Sequence, residues 1–246
     1  MSGVANRDLL AHCRAGAANL GEAMSKDQQA AIEWRDGVPV SRQFNDPYYS
    51  LEDGLAETHH VFLQGNDLPA RFAQGFHIAE LGFGTGLNAL AAWQAWKDAG
   101  HQGQLHFTSF EAFPMSAPDM QRSLAAYPTL EPLSAQLVQA WEKGCELTTD
   151  DFSLQVILGD ARQTLPHWDG FADAWFLDGF APAQNPELWH PDLLEAVARH
   201  TNPGGTVATY TAAGAVRRAL DAAGFSVTRI AGFGRKRHMT VGTLAQ

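Results

Sequence analysis

The sequence contains little cysteine and no long apolar run, and both absences narrow the kind of protein it can be. Only Cys13 and Cys145 occur in 246 residues, too few for a disulfide framework or a zinc cluster. No apolar run approaches the roughly 20 residues that cross a bilayer, and the N-terminus lacks the pattern of a secretory signal. The 10 histidines show no metal-ligand spacing. We therefore expect a cytoplasmic protein with no metal and no membrane partner.

Basic side chains are also scarce, with 17 Lys and Arg against 27 Asp and Glu, and the formal net charge is -10. A strongly acidic protein is a poor generic binder of nucleic acid, so any such binding must depend on a local basic patch. Two candidates lie near the C-terminus, namely the pair Arg217 and Arg218 and the run Arg235, Lys236 and Arg237. A solvated charged face is the alternative interpretation of both.

Short apolar runs alternate with helix-like segments through most of the chain. The predicted buried strands are residues 76–81, 105–111, 154–158, 173–178 and 206–210. The predicted helices are residues 87–99, 133–141, 191–200 and 212–223. This alternation favours an α/β fold in which helices cover both faces of a parallel sheet.

Two further strand-like runs, residues 225–231 and 238–244, follow with only six residues between them. A connection this short permits an antiparallel pair but no parallel crossover. We therefore predict a Rossmann-like sheet of seven strands, mostly parallel and ending in an antiparallel hairpin. That arrangement resembles the class I methyltransferase fold and differs from the dehydrogenase fold, whose sixth strand normally runs parallel.

The first 72 residues are irregular by pattern, apart from a helix-like stretch between Asp8 and Met24. We interpret residues 1–72 as an N-terminal extension or lid and residues 73–246 as the main body of the same domain. One α/β domain of this length can bury a sizeable core.

A glycine-rich loop follows the first predicted strand and opens the first predicted helix. Its residues are Glu80, Leu81, Gly82, Phe83, Gly84, Thr85 and Gly86. Glycines at alternate positions allow a tight turn and leave the backbone open to a ligand. The Gly-x-Gly-x-Gly spacing resembles the methyltransferase motif and differs from the dinucleotide fingerprint Gly-x-Gly-x-x-Gly. An ordinary strand-to-helix turn is the alternative.

Three acidic residues stand at the ends of three successive strands. Glu80 suits the amino-acid part of S-adenosylmethionine, directly or through water. Glu111 can accept hydrogen bonds from two ribose hydroxyls, as an acid does in NAD enzymes. Asp160 is positioned as methyltransferases position the acceptor for the adenine amino group, with the backbone N–H of Ala161 against the ring. Each acid alone could be a helix cap or a solubilising group.

The fourth predicted strand ends at Asp178, which is our candidate catalytic residue. Ligands of open α/β sheets bind beyond the carboxyl ends of the strands, so Asp178 should face the same crevice as the glycine loop. Amine-directed methyltransferases place Asp or Asn here to hold the acceptor nitrogen. An N-cap for the next helix is the alternative.

Several motifs together resemble the MnmD family of tRNA wobble-uridine methyltransferases, also found as the methyltransferase half of the bifunctional enzyme MnmC. The most distinctive is the run Trp-Phe-Leu-Asp-Gly-Phe-Ala-Pro at residues 175–182. The resemblance extends over roughly residues 32–244 and includes the segments 39–46, 61–63, 80–88, 203–206, 216–218 and 232–237, with Tyr49, Ser50, Gly54, Leu55, Glu57, Asn185, Pro186 and Trp189.

The resemblance implies a substrate and a reaction. The acceptor would be the primary amine of 5-aminomethyl-2-thiouridine at the wobble position of a tRNA anticodon loop, and the product 5-methylaminomethyl-2-thiouridine. Bifunctional members carry a flavin-dependent oxidase domain that makes this amine. We expect no such domain in this chain, and a separate flavin enzyme could act upstream. Whether the chain is a stand-alone enzyme or an excised domain stays open.

The mechanism that we expect centres on Asp178. It would accept a hydrogen bond from the amine, align the lone pair with the sulfonium methyl group and take the proton directly or through water. Because a carboxylate raises an amine's pKa and desolvation lowers it, we expect an orienting role more than that of a strong base.

The flipped uridine needs a stacking surface, for which Phe180 is the first candidate. Phe44, Tyr48 and Tyr49 could form part of a lid, although each could equally be packing. Arg217, Arg218, Arg235, Lys236 and Arg237 are expected to contact phosphates, with an affinity that falls steeply with salt.

Three other functions stay in view. A methyltransferase for a small-molecule or protein amine would share the fold and cofactor, and the acidic charge favours it. An NAD-dependent reductase is opposed by the glycine spacing and the terminal hairpin. A non-catalytic binding module would have no need of Asp178 and the strand-end acids.

Overall fold

The computed structural model describes residues 29–50 and 53–245. The predicted helix between Asp8 and Met24 lies outside these ranges. Within them, no helix has both the length and the apolar character that crossing a membrane would require.

The described part of the N-terminal extension is more regular than its sequence pattern indicates. Strands β1 (Ile32–Arg35), β2 (Val38–Ser41) and β3 (Asp46–Pro47) form a small antiparallel sheet in that order. Asp36 and Gly37 connect β1 to β2 with φ angles of 49° and 82°. Asp-Gly at two positive-φ positions is the preferred sequence of a tight hairpin turn. This turn was the available signal for the sheet, which the sequence analysis missed.

Helix α1 (Gly54–Thr58) follows and continues through a π-helical turn, His59–Leu63, and a 3-10 turn, Gln64–Asn66. The Asp53 carboxylate caps its N-terminus by accepting the N–H of Ala56 at 2.9 Å. This cap satisfies one of the backbone donors that the first helical turn leaves unpaired.

The main sheet has eight strands in the order β10-β11-β9-β8-β4-β5-β7-β6. Their bounds are β4 (His77–Leu81), β5 (Leu105–Glu111), β6 (Glu146–Thr148), β7 (Phe152–Leu158), β8 (Ala172–Leu177), β9 (Thr201–Thr209), β10 (Phe225–Ala231) and β11 (His238–Leu244). Strands β4, β5, β7, β8 and β9 are mutually parallel, and β11 lies antiparallel between β9 and β10. The predicted parallel sheet with a terminal antiparallel hairpin is therefore confirmed.

The predicted number of seven strands is corrected to eight by β6, which pairs antiparallel with β7 at the sheet edge. Its three residues, Glu-Leu-Thr, are too short and too exposed to produce an apolar run, so only pairing with β7 identifies the strand.

Within the described residues, six helices accompany this sheet. They are α2 (Leu87–Asp98), α3 (Ala117–Leu124), α4 (Glu131–Trp141), α5 (Ala161–Thr164), α6 (Pro191–Arg199) and α7 (Gly214–Ala222). The four predicted helices correspond to α2, α4, α6 and α7, with ends that differ by at most two residues. Helix α3 was not predicted, although Ser116 caps it by accepting the N–H of Asp119.

Apolar side chains pack on both faces of the sheet, as a doubly covered parallel sheet requires. One cluster contains side chains of α2, α3 and α4, and the other contains side chains of α5, α6 and α7. Trp93 and Trp96 are fully buried in the first cluster. In such open α/β sheets, ligands bind beyond the carboxyl ends of the parallel strands.

Candidate functional site

The carboxyl ends of four parallel strands meet at one edge of the sheet. Backbone hydrogen bonds continue one residue beyond the strands there, from Gly82 to Phe110, from Asp178 to Leu81 and from Gly159 to Glu111. These bonds hold the residues that follow each strand side by side. The sequence prediction that these segments share a crevice is therefore confirmed by the topology.

A cavity of about 1000 Å³ opens at this edge. Its lining includes residues 46–50, 82–85, 110–113, 159–162, 178–181 and 233–236. The N-terminal extension therefore lines the cavity together with the strand ends, and the volume is sufficient for a cofactor-sized ligand.

The glycine loop turns sharply at the floor of this cavity. Gly82, Gly84 and Gly86 have φ angles of 87°, 54° and 78°, in the left-handed region that side chains disfavour. A Cβ atom at Gly82 would lie 2.0 Å from the carbonyl oxygen of Asp178. Position 82 therefore accepts only glycine without movement of the backbone that carries Asp178.

Glu111 lies at the end of β5 and lines the cavity. Its Oε2 atom accepts the N–H of Gly84 at 3.0 Å, and its Oε1 atom accepts the N–H of Phe113 at 2.7 Å. Burial raises the pKa of this carboxyl, and the backbone donors oppose that rise. Glu111 thus ties the glycine loop to the next strand end and still presents a carboxyl to the cavity.

Glu80, by contrast, does not line the cavity: its side chain is fully buried under the loop. Oε1 accepts a hydrogen bond from Nδ2 of Asn88 at 2.9 Å, and Oε2 accepts one from the hydroxyl of Ser109 at 2.6 Å. Desolvation raises its pKa to about 8. Because this side chain is fully buried and lies outside the cavity lining, a ligand in the cavity could contact it only if the residues that cover it moved.

Asn88 connects Glu80 to Asp178, and the sequence analysis did not single it out. Its Nδ2 group also donates to Oδ2 of Asp178 at 2.8 Å, while its Oδ1 atom accepts the hydroxyl of Thr58 at 2.8 Å. Asn88 is nearly fully buried and occupies the second position of α2. A polar residue at a buried helix position, two residues after Gly86, was the signal for it.

Asp178 follows β8, is partly buried and faces the cavity. Burial raises its pKa to about 7; the Asn88 hydrogen bond and the charge of Lys236 oppose the rise, and the charges of Glu57 and Asp46 add to it. A carboxyl that titrates near neutrality can both accept and release a proton at physiological pH.

Asp160 and Ala161 line the cavity where α5 begins. The Asp160 carboxylate caps α5 by accepting the N–H of Arg162, and it also pairs with the guanidinium of that residue. This pair lowers the pKa of Asp160. The sequence analysis treated a helix cap and a ligand-binding acid as alternatives for Asp160. In the structure Asp160 caps α5 and also lines the cavity.

An aromatic cluster closes one side of the cavity. The rings of Phe44 and Phe180 stack at 4.8 Å, and Tyr48 meets Phe180 edge-on at 5.1 Å. Asp46 tethers the same segment by accepting the N–H of Ala181 at 2.8 Å. The stacking surface predicted for Phe180 is therefore already covered by Phe44 in this structure.

The five basic candidates do not act as one patch on the cavity. Arg235 and Lys236 line it, whereas Arg217, Arg218 and Arg237 do not. Lys236 turns inward, with Nζ at 2.8 Å from Oε1 of Glu57 and 3.9 Å from the ring centroid of Tyr210. Glu57 and Tyr210 are site residues that the sequence analysis did not predict.

Comparison with known proteins agrees with this geometry. Residues 126–245 match a family described as S-adenosyl-L-methionine-dependent methyltransferase. The chain is 45% identical over 229 residues to the tRNA 5-methylaminomethyl-2-thiouridine biosynthesis bifunctional protein MnmC of Chromobacterium violaceum, covering 88% of this chain and 34% of the relative. It is 46% identical over 233 residues to MnmC of Pseudomonas savastanoi pv. phaseolicola, covering 89% and 35%. By this match, residues 126–245 belong to the S-adenosyl-L-methionine-dependent methyltransferases.

The methyltransferase fold is also found in a solved relative. The crystal structure of MNMC2 from Aquifex aeolicus superposes with a TM-score of 0.70 at 24% identity, over 97% of this chain and 84% of that one. The present methyltransferase spans about a third of the length of the MnmC relatives it matches. The family assignment confirms the predicted cofactor class and decides against the reductase alternative.

Proposed function

We propose that this methyltransferase transfers a methyl group from S-adenosylmethionine to the primary amine of 5-aminomethyl-2-thiouridine at the wobble position of tRNA. The observation that carries the proposal is Asp178, a carboxyl with a pKa near 7 that faces a cavity shared with the glycine loop. Identity of 45% to proteins named for the biosynthesis of the methylated nucleoside supports the choice of substrate.

The glycine loop and the strand-end acids suit the cofactor chemically. The loop from Gly82 to Gly86, with Phe83 and Thr85, would surround the amino-acid part, and Glu111 would accept the ribose hydroxyls. Asp160 would accept the adenine amino group beside the N–H of Ala161. Glu80, which is buried behind Asn88, would act on the site through Asn88 and not by direct contact.

The chemistry requires a neutral amine, because an ammonium has no lone pair with which to attack. When bound, S-adenosylmethionine supplies a sulfonium methyl group, whose C–S bond breaks as the C–N bond forms, with the electron pair left on sulfur. Asp178 would take a proton from the ammonium before attack and release it to water after methyl transfer, and the product would leave as the methylated ammonium. The hydrogen bond from Asn88 holds the Asp178 carboxylate in position to accept that proton.

This role differs from the expectation drawn from sequence, in which Asp178 mainly orients the amine. An aspartate with an ordinary pKa would be a poor acceptor for an ammonium proton. Burial raises the pKa of Asp178 to about 7. The difference between this pKa and that of the substrate ammonium is then smaller, so proton transfer from the ammonium to Asp178 is less unfavourable.

On the substrate side, we propose that the uridine stacks against Phe180 after Phe44 moves aside, while the basic residues near the C-terminus other than Lys236 contact the anticodon phosphates. Stacking on an aromatic side chain is the common way to hold an unstacked base. A tRNA substrate also implies cytoplasmic action downstream of a flavin-dependent enzyme that makes the amine.

The test is incubation of the purified chain with labelled S-adenosylmethionine and tRNA from a strain that lacks this methylation, followed by digestion to nucleosides. Label in 5-methylaminomethyl-2-thiouridine is the expected result. If the cofactor protects the chain in a thermal melt but no tRNA is labelled, the tRNA proposal is wrong. The acidic net charge would then favour a small-molecule or protein amine as the acceptor.

A further inference from the structure

Lys236 is bound inside the proposed acceptor cavity instead of projecting toward an RNA backbone. Its ammonium nitrogen lies 2.8 Å from a carboxylate oxygen of Glu57 and 3.9 Å from the centre of the Tyr210 ring. The side chain of Glu57 is only 13% exposed, whereas that of Lys236 is 45% exposed. The carboxylate therefore belongs to the cavity wall, and the lysine reaches it from the rim.

The two groups around this ammonium are those that recognise a primary ammonium in general. A carboxylate accepts its N–H donors, and the face of an aromatic ring attracts its charge. Tyr210 is held in position because its hydroxyl donates to the carbonyl oxygen of Gly179 at 2.6 Å. That bond connects the ring to the residue directly after Asp178.

The local charge also favours a cation. Asp178 is influenced by the negative charges of Glu57 and Asp46 and by the positive charge of Lys236. If Lys236 leaves, the negative charges of Glu57 and Asp46 act on Asp178 without that opposing positive charge, and a cationic ligand would restore the balance.

We propose that Glu57 and Tyr210 form an ammonium subsite for the acceptor amine, and that Lys236 occupies this subsite until the substrate displaces it. The inference rests on the proposed function, because it identifies the part of the cavity that distinguishes an aminomethyl substrate from an uncharged one. Glu57 binds the substrate as a cation, and Asp178 then removes its proton.

The position of Lys236 in the chain would allow it to leave the subsite. It belongs to the connection between β10 and β11, which contains Gly232 and Gly234, and its side chain is nearly half exposed. Its release would free a cation at the rim of the cavity at the moment when an RNA substrate enters. The lysine thus excludes other cations from Glu57 in the absence of substrate.

The test compares two anticodon stem-loops that differ by one group, 5-aminomethyl-2-thiouridine and its uncharged isostere 5-hydroxymethyl-2-thiouridine. The readout is the ratio of their dissociation constants for the chain loaded with S-adenosylhomocysteine. We expect Glu57→Gln to reduce the preference for the amine by about tenfold or more, because the substitution removes one charge-assisted hydrogen bond to the ammonium. Lys236→Met should increase that preference, because the competing ammonium is gone.

Glu195→Gln is the matched control, since it removes one negative charge from an ion pair with Arg199 on α6, away from the cavity. It should leave the ratio unchanged. An unchanged ratio in Glu57→Gln would overturn the inference. So would an equal loss of affinity for both stem-loops in Glu57→Gln, which indicates a purely structural pair. If Lys236→Met weakens both stem-loops equally, Lys236 is a phosphate contact and not an occupant of the subsite.

A failure of the tRNA proposal is distinguishable from a failure of this inference. If the wild-type chain neither binds nor methylates either stem-loop, methyl transfer to the free nucleoside 5-aminomethyluridine is measured instead. Transfer that falls about tenfold or more in Glu57→Gln, but not in Glu195→Gln, supports the subsite without tRNA. An equal rate in the two variants, or no transfer to the amine at all, overturns it.

Discussion

At the scale of single residues, the acid that faces the proposed acceptor has a pKa shifted toward neutrality. Because burial raises the pKa of Asp178 to about 7, its proton-accepting form increases as pH rises through that value. We expect kcat/KM for the amine substrate to rise through a pH of about 7, and this inflection to disappear in Asp178→Asn. Initial rates with labelled S-adenosylmethionine across this range provide the measurement.

The Asp178→Asn variant should also lose about 100-fold or more in turnover, the usual contribution of a positioned proton acceptor. Its affinity for S-adenosylmethionine, measured by calorimetry, should change little, because the substitution keeps the shape of the side chain. A parallel loss of cofactor affinity and turnover would mean that Asp178 shapes the cofactor pocket and has no separate catalytic role.

Glu80 provides a second residue-scale prediction, about stability. Its pKa is raised from 4.5 to about 8 by burial, so the folded state retains a proton that the unfolded state loses. The free energy of unfolding contributed by this group is therefore highest below a pH of 4.5 and declines as pH rises toward 8. Glu80→Gln removes that decline, and its stability relative to wild type should rise by on the order of 4 kcal/mol between about pH 5 and about pH 8.

Urea denaturation at these two pH values measures the difference. The control is Glu195→Gln, whose side chain is 62% exposed and whose relative stability should not depend on pH in this way. A Glu80→Gln effect that is the same at both pH values would show that Glu80 is ionised in the folded protein.

At the scale of elements, alanine substitutions at two glycines distinguish the cost of a left-handed backbone conformation from the cost of a steric clash. Gly103 has a φ of 82°, and a Cβ added there would meet no heavy atom within 4 Å. Gly103→Ala therefore reports the cost of conformation alone, about 1–2 kcal/mol. Gly82 has a similar φ of 87°, but its Cβ would meet the carbonyl oxygen of Asp178 at 2.0 Å. We expect Gly82→Ala to cost at least about 2 kcal/mol more than Gly103→Ala in urea denaturation.

Gly84 lies between these two cases, since its Cβ would lie 3.2 Å from the ring of Tyr48. Gly84→Ala should therefore cost more stability than Gly103→Ala and less than Gly82→Ala, and it should reduce cofactor affinity, because the added methyl group lies in the cavity lining. Equal stabilities for Gly82→Ala and Gly103→Ala would contradict the close approach of the loop to the residue that follows β8.

At the scale of the whole molecule, the proposed tRNA substrate would have to be bound through few contacts, because the chain is acidic. With a net charge of -10, binding should weaken steeply with salt and depend on individual cations. We expect Arg237→Gln, at an exposed position, to reduce the slope of log Kd against log salt by about 0.7–0.9, the value of one phosphate contact.

For an anticodon stem-loop that lacks the amine, the salt slope of Lys236→Met should instead equal that of wild type, because Lys236 then stays paired with Glu57. Filter binding of an anticodon stem-loop at several salt concentrations measures both slopes, with Arg199→Gln on α6 as the charge-matched control. If Arg237→Gln and Arg199→Gln give the same slope, the loop between β10 and β11 is not the phosphate contact.

The amino-acid sequence by itself determined the order of the main elements, the glycine loop and the positions of Glu111, Asp160 and Asp178. Apolar runs and glycine spacing are local patterns, which can be read over a few residues at a time. Once the strands are assigned as parallel, a general rule places the residues after them at the same end of the sheet. The small β1–β3 sheet was readable in principle, from Asp36 and Gly37, but it lacks long apolar runs.

Only the tertiary structure decided what each side chain faces. Glu80 turned away from the cavity because Asn88 and Ser109 hold both of its oxygens, and Phe180 was covered because Phe44 arrives from the N-terminal extension. Glu57 and Lys236 are 179 residues apart in the chain. No local pattern relates two such residues, since their contact depends on how an entire sheet and its extension pack around one cavity.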